Sequence, residues 1–154
     1  MTSTPGDLEK KKVLFLCTHN SARSQMAEGL LRAMYADRYE AYSAGVEATS
    51  VDPRAVFVMK EIGIDISSQR SKSSQEFQDI VFDQAITVCD RAKQACPICS
   101  TQLQLPSKSP RAKEVIHRSF ADPAASAGSK EEQLEAFRRV RDEIKKWISQ
   151  TFGR

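Results

Sequence analysis

Four short apolar runs punctuate the chain, and each is too brief for a helix. Val13-Leu14-Phe15-Leu16 has no polar interruption, the pattern of a strand buried on both faces, and predicts a strand at about 12–17. Ala41-Tyr42-Ser43-Ala44-Gly45 reads as a second strand ending in glycine. Ala85-Ile86-Thr87-Val88 reads as a third, which delivers Cys89 at its carboxyl end, and Val115-Ile116-His117 as a shorter fourth. Between these runs the spacing becomes helical. Met26, Leu30 and Met34 recur on one face, with Ala27 and Leu31 beside them, and predict a helix at about 24–37. Asp52 followed by Pro53 opens a second helix, with Val56, Met59, Ile62 and Gly63 along its expected buried side. Ser129 and Glu132 form a capping box for a last helix at about 130–150, striped by Leu134, Phe137, Arg141, Ile144 and Ile148 and widened by Val140 and Trp147. Ile64-Asp65-Ile66 is a brief extended piece, Ser67 to Gln78 is polar, and Gln102 to Arg111 is a proline-bearing loop.

Strand alternating with helix argues for an α/β fold of three layers, a four-stranded parallel sheet with helices on both faces and right-handed crossovers. Residues 1–11 read as a disordered tail of Thr, Ser, Pro, Gly and charge, and residues 12–154 as one domain without an internal repeat.

Composition changes little in this picture. The chain has 154 residues, 40% hydrophobic and 28% charged, enough for one proper core. No segment reaches the roughly 18 apolar residues of a membrane span, and the polar start offers no apolar run for a signal peptide. The net charge is +3. The densest basic stretch, Arg138 to Lys146, contains Asp142 and Glu143 and no interleaved aromatics, so it reads as a solvated helix face rather than a nucleic-acid surface. No nucleic-acid or membrane partner is expected, and a cytoplasmic monomer is.

The chemistry concentrates after the first strand. Cys17 ends it, Arg23 follows after five intervening residues, and a helix opens at Ser24. A loop between the carboxyl end of a parallel strand and the amino end of a helix is where backbone N–H groups converge on an anion. A thiol in that position ionises more readily than a free one, and arginine offers a planar fork to a tetrahedral oxyanion. Thr18, His19, Asn20, Ser21, Ala22 and Arg23 are the expected oxyanion-binding residues, and Cys17 the nucleophile. Three further cysteines stand at Cys89, Cys96 and Cys99. In an intracellular chain such cysteines point to catalysis, redox chemistry or metal. A zinc site of these three with a histidine such as His117 is the rival of another class, but the spacing lacks a second close ligand pair; no metal is expected.

The segment Cys17 to Ser24, joined by Asp122-Pro123 late in the chain, resembles the signature of the low-molecular-weight protein tyrosine phosphatase superfamily. The resemblance runs from about residue 12 to the C-terminus and includes Tyr42-Ser43-Ala44-Gly45. It implies a phosphatase-like sheet in strand order 2-1-3-4. Where phosphatases continue Arg-Ser-Pro, this chain has Arg23-Ser24-Gln25-Met26-Ala27-Glu28-Gly29, similar to the arsenate reductases that draw electrons from thioredoxin. Those also carry a redox cysteine pair after the third strand, which Cys89 and Cys96, followed by Pro97, match.

The resemblance implies that the Cys17 thiolate attacks arsenic while loop N–H groups and Arg23 hold the oxygens. It implies that Asp122 protonates the departing oxygen, that Ser24 hydrogen-bonds the Cys17 sulfur and that Asn20 braces the loop. Cys89 then resolves the adduct to a Cys17–Cys89 disulfide, and Cys96 passes it outward to thioredoxin or another thiol donor, with no bound cofactor. Hydrolysis of phosphate monoesters through a Cys17 phosphocysteine is the alternative activity. If residues 90–95 were helical, Cys89 and Cys96 would lie about 10 Å apart along the axis, beyond the roughly 7 Å a disulfide tolerates between Cα atoms, so that segment is expected to unwind on oxidation.

Four departures from the reductase pattern stand out. His19 replaces a glycine common in relatives, Ala22 replaces a loop cysteine of some members, and Cys99 makes an additional C-x-x-C with Cys96. Some relatives bind potassium through residues matching Asn20, Glu28, Ser43 and an aspartate aligned with Lys72, and a lysine there is expected to put its ammonium in the ion's place.

Overall fold

The computed structural model describes residues 10–88, 99–100, 111–125 and 127–153, with backbone alone at 99–100. The residues of the expected tail before position 10, with Cys89 and Cys96, lie outside the described residues. Strand β1 covers Lys11–Cys17, β2 Tyr39–Gly45, β3 Val81–Thr87, β4 Cys99–Ser100 and β5 Arg111–His117. Helix α1 covers Arg23–Tyr35, α2 Pro53–Lys60 and α3 Lys130–Phe152.

The apolar run of β1 is fully buried from Val13 to Leu16, because β1 lies inside the sheet. It pairs in parallel with β2, Cys17 opposite Gly45, and with β3, Phe15 opposite Ile86. β3 in turn pairs with β5, Thr87 opposite His117. The four long strands therefore run in the expected order 2-1-3-4. One addition corrects the strand count: the two-residue β4 pairs in parallel with Arg111 and Ala112 at the outer edge. Three long strands are also longer than their apolar runs. β2 starts at Tyr39, β3 at Val81 and β5 at Arg111, since ladder hydrogen bonds continue through polar residues such as Glu40, Asp83 and Lys113 that interrupt the hydrophobic pattern.

The pleat splits the core. Val13, Phe15, Ile86 and Val88 face one cluster with Met26, Leu30 and Leu31 of α1, Ala55, Val58 and Met59 of α2, and Phe137, Ile144 and Ile148 of α3. Leu14, Leu16, Phe82 and Ala85 face the other, where the cover among the described residues comes from Tyr42, Phe77 and Ile80, Phe77 ending a 3-10 turn at Ser74–Phe77. Each buried Leu, Ile or Phe stabilises the fold by roughly 1.5–3 kcal/mol.

Helix starts follow their sequence signals. The Asp52 side chain accepts the Arg54 N–H ahead of Pro53, and the Ser129–Glu132 capping box is present in both directions. The buried face of α2 differs from expectation: Ala55, Val58 and Met59 are buried, whereas Val56 is half-buried and Gly63 exposed. The helix ends at Lys60, so Ile62 and Gly63 lie past it, with Gly63 at φ +81° in the left-handed region.

Candidate active site

Parallel pairing brings the carboxyl ends of β1, β2, β3 and β5 to one edge, and the loop after β1 closes there. Its carbonyls are tied outward. The Cys17, Thr18, His19 and Ser21 carbonyls accept from the N–H groups of Val46, Glu47, Thr49 and Asp52 at 3.4, 2.8, 3.2 and 2.9 Å, and the Asn20 carbonyl accepts from Gln25 Nε2 at 3.0 Å. In a trans peptide the N–H of the next residue points opposite its carbonyl. The N–H groups of residues 18–22 are thereby turned inward, toward the cavity that Cys17 and Arg23 line. Asn20 makes the turn at φ +50°, in the left-handed region that asparagine tolerates. Gly45 permits the close approach: a Cβ there would stand 2.7 Å from the Asn20 nitrogen and 2.8 Å from the Thr18 carbonyl oxygen.

The cavity is small, about 80 Å³, and is lined by Cys17, His19, Ser21, Ala22, Arg23, Asp122 and Ala124. Cys17 Sγ lies 2.8 Å from Ser24 Oγ. Arg23 donates through Nη1 to the Phe120 carbonyl at 3.1 Å and holds Nη2 3.8 Å from Asp122 Oδ2. Asp122 accepts the Ala124 N–H at 3.0 Å, a turn that Pro123 helps set at the start of a 3-10 segment. Of the residues expected at the site, Cys17 to Ser24 and Asp122 are thus brought together. Cys89 and Cys96 lie outside the described residues, as does the side chain of Cys99. His117 Nδ1 is 2.7 Å from Thr87 Oγ1, and no cluster of metal-ligating side chains occurs among the described residues. No helix among them is long and apolar enough to cross a membrane.

Two further contacts, of Glu47 with His19 and of Arg54 with Asp52, were not evident from sequence. The His19 imidazole lines the cavity and places Nε2 3.7 Å from Glu47 Oε1. Arg54 is bound through Nε and Nη2 to Asp52 at 3.0 and 2.8 Å and lies over the Phe137 ring at 4.7 Å. Burial pushes the Asp52 carboxyl up, yet the Arg54 hydrogen bonds and charge hold it below the usual carboxylate range. Its place before Pro53 at a helix start signals Asp52; nothing local signals Arg54 as its partner.

The residues matching the potassium ligands of some relatives surround a lysine ammonium here. The Lys72 ammonium lies 3.7 Å from Glu28 Oε1 and donates to the Arg70 carbonyl at 2.7 Å. Ser43 Oγ donates to the same Glu28 oxygen, and the Lys72 backbone N–H donates to Asn20 Oδ1 at 2.8 Å. Burial pushes Lys72 below the ordinary lysine range, against the pull of Glu28. A cation is already built into the chain, and the residues do not fit a potassium ion.

The model of the low molecular weight phosphotyrosine protein phosphatase family matches residues 12–153. The chain belongs to that family. Within it, the chain is 45% identical over 141 residues to the arsenate reductase of Halalkalibacterium halodurans, covering 92% of this chain and 94% of that protein. It is 43% identical over 139 residues to the arsenate reductase of Bacillus subtilis, covering 89% and 91%. Among solved structures, an arsenate reductase in the phosphate-binding state is 32% identical with a TM-score of 0.70, covering 93% of this chain and 97% of that one. The family's low molecular weight protein tyrosine phosphatase from T. tengcongensis superposes with a TM-score of 0.72 at 27% identity, covering 94% and 99%.

Proposed function

We propose that this chain reduces arsenate to arsenite, as a single cytoplasmic domain over residues 12–154. The observation that carries the reading is the small cavity in which the Cys17 sulfur faces Arg23 and Asp122, in a chain 45% identical to an arsenate reductase. The Cys17 thiolate attacks arsenic and an oxygen leaves with a proton from Asp122. Inward N–H groups and Arg23 hold the remaining oxygens. Cys89 then attacks the Cys17 sulfur. The sulfur–arsenic bonding pair departs with arsenic, which leaves as arsenite, and a Cys17–Cys89 disulfide remains. Cys96 attacks Cys89 and frees Cys17, and two electrons from thioredoxin reduce the Cys89–Cys96 disulfide. A monomer suffices for these steps.

Hydrolysis of phosphate esters is the second reading, favoured by the same cavity and by the 27% identical phosphatase of the same fold. Arsenate turnover coupled to thioredoxin, thioredoxin reductase and NADPH tests the proposal. Turnover lost in Cys89→Ser supports it. Strong aryl phosphate hydrolysis without arsenate turnover, indifferent to Cys89, assigns the chain to the second reading instead.

A further inference from the structure

Behind the cavity, the buried side chains of Asn20, Ser24 and Gln25 and the partly exposed Gln69 and Arg32 form one hydrogen-bonded line. Arg32 Nη1 donates to Gln69 Oε1 at 2.7 Å. Gln69 Nε2 donates to Gln25 Oε1 at 2.7 Å, Gln25 Nε2 to Asn20 Oδ1 at 2.9 Å, and Asn20 Nδ2 to Ser24 Oγ at 2.8 Å. Ser24 Oγ ends the line 2.8 Å from Cys17 Sγ.

The direction of every link as far as Ser24 is forced. A guanidinium only donates, so the atom of Gln69 facing Arg32 is its oxygen, and the nitrogen faces Gln25. Gln25 Nε2 also meets the Arg70 and Asn20 carbonyls at 2.9 and 3.0 Å; these only accept, so a nitrogen stands there. The backbone N–H of Lys72 points at the same Asn20 oxygen at 2.8 Å, which turns the Asn20 nitrogen toward Ser24. A serine hydroxyl carries one proton. Asn20 fills one lone pair of that oxygen and leaves the proton free, and toward a Cys17 thiolate, which only accepts, Ser24 directs it at sulfur. An Asn20 turned the other way would take the serine proton and leave only lone pairs toward Cys17.

We infer that Gln25 is a positioning residue for the nucleophile: backed by Gln69 and Arg32, it acts through Asn20 to fix Ser24 as the donor to Cys17. The inference rests on Cys17 as the attacking thiolate, which arsenate reduction and phosphate hydrolysis share, and not on which of the two occurs. Bonds aligned head to tail also polarise one another, so a guanidinium at the half-exposed end reinforces an anion at the buried end.

The test is the rate of iodoacetamide alkylation at Cys17, followed by peptide-resolved mass spectrometry on the full chain across pH. In Gln25→Met the rate on the acidic limb should fall by about three- to tenfold, the worth of one hydrogen bond to the anion, while the alkaline plateau stays unchanged. Gln69→Glu keeps an acceptor for Arg32 and removes the donor to Gln25, and should lower the acidic limb in the same direction by about two- to threefold. In a Ser24→Ala background, Gln25→Met should add nothing. An unchanged acidic limb in folded Gln25→Met, an equal change in limb and plateau, or full additivity with Ser24→Ala overturns the inference. If Gln25→Met does not fold, an unchanged limb in Gln69→Glu overturns it alone.

Discussion

Arg23 holds its guanidinium 3.8 Å from the Asp122 carboxylate across the mouth of the cavity, so the residue proposed to give a proton also occupies the fork proposed to hold the substrate. An arriving oxyanion competes with Asp122 for Arg23. Asp122→Asn is expected to lower kcat by about 10²–10⁴ while tightening inhibition by inorganic phosphate up to about fivefold, the scale of a half-exposed ion pair. Steady-state kinetics with phosphate as competitor reads both. A lower kcat with weaker phosphate inhibition contradicts the competition.

Lys72 supplies the positive charge beside Glu28, so exchanging potassium for sodium at constant ionic strength should leave kcat/KM unchanged. Lys72→Met leaves the buried Glu28 carboxylate with Arg32 and Ser43 and should cost about 1–3 kcal/mol of stability, measured by urea unfolding. A potassium-dependent kcat/KM in the unmodified chain refutes this.

Gly45 admits the anion loop within 2.8 Å of where a Cβ would stand, against backbone that cannot rotate away. Gly45→Ala is expected to displace the loop and reduce kcat/KM by about 10²-fold, the cost of misplacing reacting groups by about 1 Å. The far-UV circular dichroism should hold, since the strand pairing of β1 with β2 does not need that hydrogen. Wild-type kinetics in Gly45→Ala would mean the loop approaches less closely.

Asp52 carries a pH dependence. Its carboxyl in the fold is held by Arg54 below its unfolded value, although burial opposes this. The folded state then binds fewer protons than the unfolded chain in the acid range, so stability is present above the ordinary carboxylate range and lost as pH falls through it. Asp52→Asn retains a cap acceptor without the charge. Between about pH 6 and about pH 3 the wild type should lose more stability than the variant; parallel unfolding curves would exclude the Arg54 pairing as the cause.

Much of this was legible along the chain because the signals are local. Val13 to Leu16 marks a central strand by uniform apolarity, Ser129 with Glu132 marks a helix start by spacing, and Cys17 to Ser24 marks the anion loop by its place between strand and helix. The polar line behind Cys17 was not legible, since Gln25 meets Gln69 and Arg70 only after folding brings them across 44 and 45 residues. The buried face of α2 was less legible, because the apolar stripe runs on to Ile62 while the helix stops at Lys60. Edge strand β4 has two residues, too few to carry any period.

The line from Arg32 to Cys17 has one end in solvent and the other on the reacting sulfur. Its interior members are each fixed by neighbours on two sides, so substitution there disturbs the loop itself. Arg32 is the most exposed member, with about half its side chain in solvent, and outside the line it pairs with Glu28. A change at the outer surface of the molecule can therefore reach the hydrogen-bond donor aimed at the sulfur, one residue at a time, while the cradle around the oxyanion stays as it is.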